Sequence, residues 1–302
     1  MNSQLAKLVG NTPLLRLTKI GAAVAPVEIY AKAEWTNPSG SVKDRAALNI
    51  ITEALASGEL TPGKTILDAT SGNTGIAYAM FGAELGFKVK LVMPATVSHE
   101  RKTILKTYGA ELVLTDAMLG GNGAIEMAQA LYNESPDTYF YANQYDNPAN
   151  WRAHYQHTAE EIWQQTDGRV THFVTGLGTS GTFMGTARRL RELNPRIVCI
   201  SLMPDSAMAA IEGWKYMPTA ILPKIYVPAE ADENLEITTE AAQAMTLRLG
   251  REEGLFVSSS AGAAAVGALK VAERLTQGVV VTTFADAGFK SLGETFWHME
   301  GS

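Results

Sequence analysis

Two glycine-rich loops and one lysine carry most of the chemistry legible in this sequence. Thr70-Ser71-Gly72-Asn73-Thr74-Gly75 and Gly176-Leu177-Gly178-Thr179-Ser180-Gly181-Thr182 each follow a strand-like run and open a helix-like one. Such a junction turns free backbone N–H groups and a positive helix end toward the carboxyl edge of a sheet, where anions bind. A tight turn that needs glycine for its backbone angles would explain one such loop; two, both rich in hydroxyls, favour ligands. The lysine is Lys43, in Asn37-Pro38-Ser39-Gly40-Ser41-Val42-Lys43-Asp44-Arg45. It falls at a helix start, where the dipole disfavours a cation. With Arg45 beside it, its ammonium pKa is expected to fall, which is what a Schiff-base lysine requires. A solvated lysine beside a capped helix start is the plain alternative.

The second loop admits a rival. Gly176, Gly178 and Gly181 match G-x-G-x-x-G, and Asp205 follows the next strand where a ribose-binding acid would sit. That pattern suits a nicotinamide dehydrogenase. Thr179, Ser180 and Thr182 speak against it, because hydroxyls suit a terminal phosphate better than a bridging pyrophosphate. The dehydrogenase also leaves Lys43 and the first loop without work.

The elements that must position these groups alternate between strand and helix. Strands are expected at Glu28 to Glu34, Thr65 to Ala69, Val89 to Met93, Leu112 to Thr115, Tyr139 to Ala142, Thr171 to Thr175, Ile197 to Leu202 and Val279 to Phe284. Helices are expected from Val42 to Ser57, from the first loop to Leu85, and from Ser98 to Tyr108. Doubly buried strands alternating with helices indicate parallel sheets in an α/β fold. There are too many units for one layer set, so two sheets are expected. Asn143 to Asn150, turn-rich and central, is the expected crossing between them.

Composition narrows the classes. The 302 residues are 46% hydrophobic and 19% charged, which excludes a disordered chain and a collagen-like repeat. Net charge is -6 with no basic cluster, so no nucleic-acid partner is expected. The single cysteine, Cys199, excludes a disulfide framework and reads as a small buried hydrophobe. His154 and His157 could pair on a metal, but no third ligand has suitable spacing, so no metal is expected. Trp151, Tyr155 and Trp163 recur at helical spacing and read as packing. Apolar runs such as Ala261 to Leu269 stop short of the roughly 18 residues a spanning helix needs, so no membrane partner is expected. Met1 to Pro13 lacks a basic-then-apolar pattern, and a cytoplasmic location is expected.

Asn37 to Arg45 resembles the lysine motif of the cysteine synthases, in the fold type II (tryptophan synthase β-like) group of pyridoxal-phosphate enzymes. Gly10-Asn11-Thr12-Pro13-Leu14, Thr70 to Gly75, Gly178 to Thr182 and the Ser260 region match the same family in the same order. Asn37 to Leu48 and Glu161 to Val174 look like its enteric B-type isozyme. Gly176 to Glu192 and Ala285 to Lys290 look more like an actinobacterial relative that uses O-phosphoserine.

The resemblance implies two open twisted sheets with flanking helices. It implies a smaller, mobile domain at 36–145 and a larger cofactor-binding domain from 1–35 plus 146–302. Lys43 would hold pyridoxal 5'-phosphate as a Schiff base and act as the catalytic residue. Gly178, Thr179, Ser180, Gly181 and Thr182 would cradle the cofactor phosphate. Asn73 would meet its ring hydroxyl and Ser260 its pyridine nitrogen. Thr70, Ser71, Thr74 and Gln144 would hold the substrate carboxylate.

Within Asp205 to Pro218, Lys215 is the only cation where related enzymes place a basic residue over the cleft mouth; a surface lysine is the alternative. The implied reaction is β-replacement that makes cysteine from O-acetylserine and sulfide or thiosulfate, in a homodimer. O-phosphoserine as first substrate, a cystathionine β-synthase, and a weakly catalytic partner-binding protein are the alternatives. Ala261, Thr158-Ala159-Glu160-Glu161 and the tail after Gly288 depart from the family pattern, and are expected at the pocket rim.

Overall fold

In the computed structural model, residues 3–70 and 72–298 are described. The strands are β1 (Leu14–Arg16), β2 (Glu28–Ala33), β3 (Thr65–Ala69), β4 (Lys88–Pro94), β5 (Glu111–Thr115), β6 (Tyr139–Tyr141), β7 (His172–Gly176), β8 (Val198–Pro204), β9 (Glu233–Ile237) and β10 (Val279–Phe284). The helices are α1 (Lys43–Ser57), α2 (Asn73–Leu85), α3 (His99–Thr107), α4 (Gly120–Glu134), α5 (Ala149–Ala153), α6 (Ala159–Gln165), α7 (Gly181–Leu193), α8 (Thr239–Arg248) and α9 (Ser259–Ala272).

Two sheets form, as the number of units requires. One runs β5-β4-β3-β6, all parallel; the other runs β1-β2-β10-β7-β8-β9, antiparallel only where β1 meets β2. The chain leaves the larger sheet after β2 and returns to it at β7. The expected crossing at 143–150 lies on that return, just after β6. The central strands are apolar and buried on both faces: every residue of β10 is buried, and four of the five in β3. Each large apolar side chain so placed contributes about 1.5–3 kcal/mol.

The helix ends follow their capping residues. Gly58 and Gly86 end α1 and α2 in the left-handed conformation. Ser98 caps α3 by accepting from the Arg101 N–H. In α2 the whole run Thr74–Gly82 is buried, so this helix is packed on all sides. Its Gly75 and Gly82 let the backbone approach Thr70 and Val89, where a Cβ would collide. A π-helical turn at His154–Thr158 joins α5 to α6.

Candidate active site

The carboxyl ends of β3 and β7 face one cavity of about 820 Å³. Thr70, Gly72, Asn73 and Thr74 of the first loop, Lys43, Gly176, Gly178, Thr179 and Thr182 of the second loop, Ser260 and Lys215 line it, while Ser180 and Gly181 lie just behind that lining. Ser71 lies outside the described residues.

Lys43 is the first residue of α1. Its N–H reaches Ser41 Oγ at 3.3 Å, and the segment before it is pinned by Val42 N–H to the Ala285 carbonyl at 2.8 Å. Loss of hydration holds its ammonium below the usual lysine pKa, and the Asp286 carboxylate works against that fall. The expected direction holds, but Arg45 is not its cause. Arg45 turns away from the cavity into a buried ion network, with Nε 2.7 Å from Glu34 Oε2 and Nη1 2.7 Å from Glu161 Oε1. Lys32 joins the same network 2.6 Å from Glu161.

Asn73 stands at the start of α2. Its Nδ2 donates to Asp286 Oδ2 at 2.8 Å, and its Oδ1 accepts from Lys290 Nζ at 3.0 Å. Lys290 also donates to the Ser39 carbonyl at 2.8 Å. Sequence reasoning missed Asp286 and Lys290 as site residues. Their stretch, Ala285 to Lys290, stood out only for its likeness to the actinobacterial relative that uses O-phosphoserine.

The second loop is built without spare room. A Cβ on Gly178 would strike the Gly213 carbonyl, and one on Gly181 would strike the Asn150 side chain. Thr179 Oγ1 accepts from Asn150 Nδ2 at 3.0 Å. Thr182 Oγ1 lies 3.3 Å from His154 Nε2, whose Nδ1 in turn lies 2.9 Å from Thr158 Oγ1. Burial pushes the His154 pKa down to about 3, so this imidazole is neutral, with its Nε2 facing the Thr182 hydroxyl. Ser180 is left-handed at φ 69°, and its buried Oγ has no hydrogen-bond partner among the described residues.

Ser260 lies in the first turn of α9, its Oγ 3.0 Å from Ser258 Oγ, and both line the cavity. On the opposite wall Thr70 Oγ1 accepts from the Gly72 and Gly75 N–H groups, each at 3.2 Å. Thr74 Oγ1 donates to Gln144 Oε1 at 2.7 Å, and Gln144 Nε2 donates to the Ala69 carbonyl at 2.7 Å. Lys215 is half-buried, with Nζ 4.5 Å from the Tyr145 ring centroid. Burial lowers its pKa. It is a cleft residue, not a surface one.

Other expectations shift. Ala261 is buried in the core, and neither it nor Thr158–Glu161 lines the cavity. Those departures are therefore not at the rim. Glu161 instead neutralises Arg45 and Lys32, and Glu160 pairs with Arg189 at 2.5 Å. Asp205, the residue a ribose would need, does not line the cavity. Cys199 is buried in β8, with its thiol pushed up to about 12, too high to yield a thiolate.

A lysine amine, a hydroxyl-rich helix start and a serine pair converge from three elements on one space. Residues 5–286 match the family described as pyridoxal-phosphate dependent enzyme. The chain belongs to that family. Among its relatives, the cysteine synthase of Aquifex aeolicus is 48% identical over 292 residues, covering 95% of this chain and 89% of the relative. Cysteine synthase B of Escherichia coli is 42% identical, covering 96% and 94%. The crystal structure of the Entamoeba histolytica cysteine synthase superposes with a TM-score of 0.94 at 35% identity, covering all of this chain and 92% of that one.

Pyridoxal phosphate is therefore the cofactor, and the residues present fit it. The orphaned Ser180 hydroxyl and the crowded glycines of its loop suit a phosphate, and the desolvated Lys43 suits a Schiff base. The dehydrogenase reading falls with the family match. The protein is an enzyme.

Proposed function

We propose that the protein makes L-cysteine from O-acetyl-L-serine and sulfide by β-replacement; with thiosulfate as the nucleophile the same step gives S-sulfocysteine. The observation that carries this is the convergence of Lys43 and both glycine loops on one cavity. When bound, the cofactor supplies an electron sink that makes the substrate α-proton removable. The chain's residues do the rest. Gly178, Thr179, Ser180, Gly181 and Thr182 hold the phosphate, Asn73 meets the ring hydroxyl, and Ser260 meets the ring nitrogen. A neutral hydroxyl at that nitrogen keeps the sink weak, which favours β-elimination. Thr70, Ser71, Thr74 and Gln144 hold the substrate carboxylate; the Thr74 hydroxyl has to turn from Gln144 to do so.

Lys43, as a free amine, takes the α-proton while the β-carbon–oxygen bond breaks and acetate leaves. Sulfur then bonds to the β-carbon, and Lys43 returns the proton. Residues 36–145 form a smaller domain that closes on the substrate, and residues 1–35 plus 146–302 form the domain that holds the cofactor. The protein acts as a homodimer in the cytoplasm. No described helix is long and apolar enough to cross a membrane.

The purified protein, given O-acetylserine and sulfide, is expected to release cysteine and acetate in equal amounts. Acetate without cysteine would contradict the replacement step. One observation favours O-phosphoserine as an alternative first substrate: Lys215 reaches the cavity, where it could meet an anionic leaving group. A lysine lacks the fork of arginine and should tolerate a phosphate without selecting it. A preference for O-phosphoserine of two orders of magnitude in kcat/KM, erased by Lys215→Ala, would overturn the choice of O-acetylserine.

A further inference from the structure

Arg101 is a nearly fully buried arginine with no part in the chemistry above. It stands on α3, beside the four-stranded sheet. Its guanidinium pairs with Glu212, which lies in the irregular segment after β8 of the other sheet. The contact therefore joins the two sides of the cleft. Arg101 also lies flat against Gly72, where a Cβ would come within 3.1 Å of its Cδ, Nε and Nη1. One side chain thus touches both the Thr70–Gly75 loop and the segment that carries Lys215.

The three residues after Glu212 form a wall of the cofactor site. The Gly213 carbonyl sits against Gly178, and the Trp214 indole sits against Gly176; a Cβ on either glycine would strike it. Lys215 comes next, with its N–H on the Leu177 carbonyl at 2.8 Å. Moving Glu212 moves all three.

A second carboxylate is at hand. Glu294 lines the same small cavity as Arg101 and Glu212, of about 180 Å³. Its carboxylate has no hydrogen-bond partner among the described residues. Burial raises its pKa, and the charge of Arg101 opposes that rise. The guanidinium thus holds the Glu212 carboxylate while Glu294 stands unpaired in the same small cavity, and the charges of Asp286 and Glu100 also act on it.

We propose that Arg101 is a positioning residue that exchanges partners. On Glu212 it clasps the 205–226 segment over the first glycine loop and completes the cleft; on Glu294 it lets that segment lift for substrate entry. The second partner matters because a buried cation left alone is strongly disfavoured, so Glu294 makes the open state accessible. The inference rests on the cleft being the reaction site, and its test is read without turnover.

The test is limited chymotrypsin digestion of the cofactor-loaded protein, following cleavage after Trp214 and Tyr216. Glu212→Gln should speed cleavage on the order of tenfold and raise KM for the first substrate more than it changes kcat. Glu294→Gln should slow cleavage below the wild-type rate, since the open state loses its counter-ion. Arg101→Glu should speed cleavage, and Arg101→Glu with Glu212→Arg should restore protection. Glu294→Gln cleaved as fast as wild type, or a double reversal no better protected than Glu212→Arg alone, would overturn the proposal. If only the chemistry were misassigned, the opposite effects on cleavage would persist.

Discussion

The carboxylate of Asp286 lies 2.8 Å from the side-chain nitrogen of Asn73. With Lys290 on the Asn73 oxygen, opposite charges fix which end of this amide is donor and which acceptor. The donor end therefore faces Asp286, on the cavity wall. Asp286 is also the charge that opposes the loss of protonation at Lys43.

Removing that charge should make Lys43 less basic. In Asp286→Asn only burial remains, so the amine is neutral at lower pH. Uptake of pyridoxal phosphate by the cofactor-free protein needs a neutral amine. Its rate-versus-pH midpoint should move to lower pH. A midpoint that moves to higher pH would mean that Asp286 does not act on Lys43.

Ser180→Ala should act with opposite signs on two states. Without cofactor, the variant loses a buried hydroxyl that has no partner, and stability should hold or rise slightly. With cofactor, a hydrogen bond to a charged phosphate is lost. That is worth about 1.5–3 kcal/mol, or roughly ten- to a hundredfold in cofactor affinity. Thermal melts with and without cofactor, together with equilibrium dialysis, read both. Unchanged affinity would remove Ser180 from the phosphate cradle.

His154 predicts an acid sensitivity. Its folded pKa, about 3, is below the unfolded value near 6.5. The unfolded chain thus takes up this proton first. The histidine leaves stability unaffected above pH 6.5 and erodes it as pH falls from there toward 3. The slope is about 1.4 kcal/mol per pH unit. Urea unfolding of wild type and His154→Gln between pH 7 and 4.5 should show the variant losing less stability over that interval. Parallel curves would show that His154 is protonated in the folded protein.

Ser260→Ala should leave the cofactor bound, because Lys43 and the phosphate cradle hold it separately. The elimination step should slow by about three- to tenfold, the worth of one neutral hydrogen bond expressed in the transition state. Single-turnover kinetics with O-acetylserine measure this. An unchanged rate would place the ring nitrogen elsewhere, with Ser258, 3.0 Å away, as the next residue to test.

Much of this protein is legible in its sequence, for local reasons. The bounds of β3 and β10 match their expected residues, because near-continuous apolar runs ended by turn residues are buried on both faces. β1 and β9 were missed: both are edge strands, one of three residues and the other with charges facing water. The lysine and both loops were visible because glycine and hydroxyl spacing is a local signal. Arg101–Glu212, Asn73–Asp286 and Lys290–Asn73 were not, since each joins residues more than a hundred positions apart. The cause of the Lys43 shift was misjudged for the same reason. The neighbour in sequence, Arg45, is occupied by Glu34 and Glu161; burial in the folded chain lowers the Lys43 pKa, and the Asp286 charge just beyond β10 opposes that fall.

The central claim is that Lys43 both holds the cofactor and moves the substrate proton. Lys43→Ala tests it most directly, by absorption spectrum and turnover measured on one sample. The wild type should be yellow from its lysine-linked pyridoxal phosphate. The variant should lack that absorption and should form no cysteine above background, even with pyridoxal phosphate supplied in excess. A yellow Lys43→Ala protein that turns over at the wild-type rate would contradict the account.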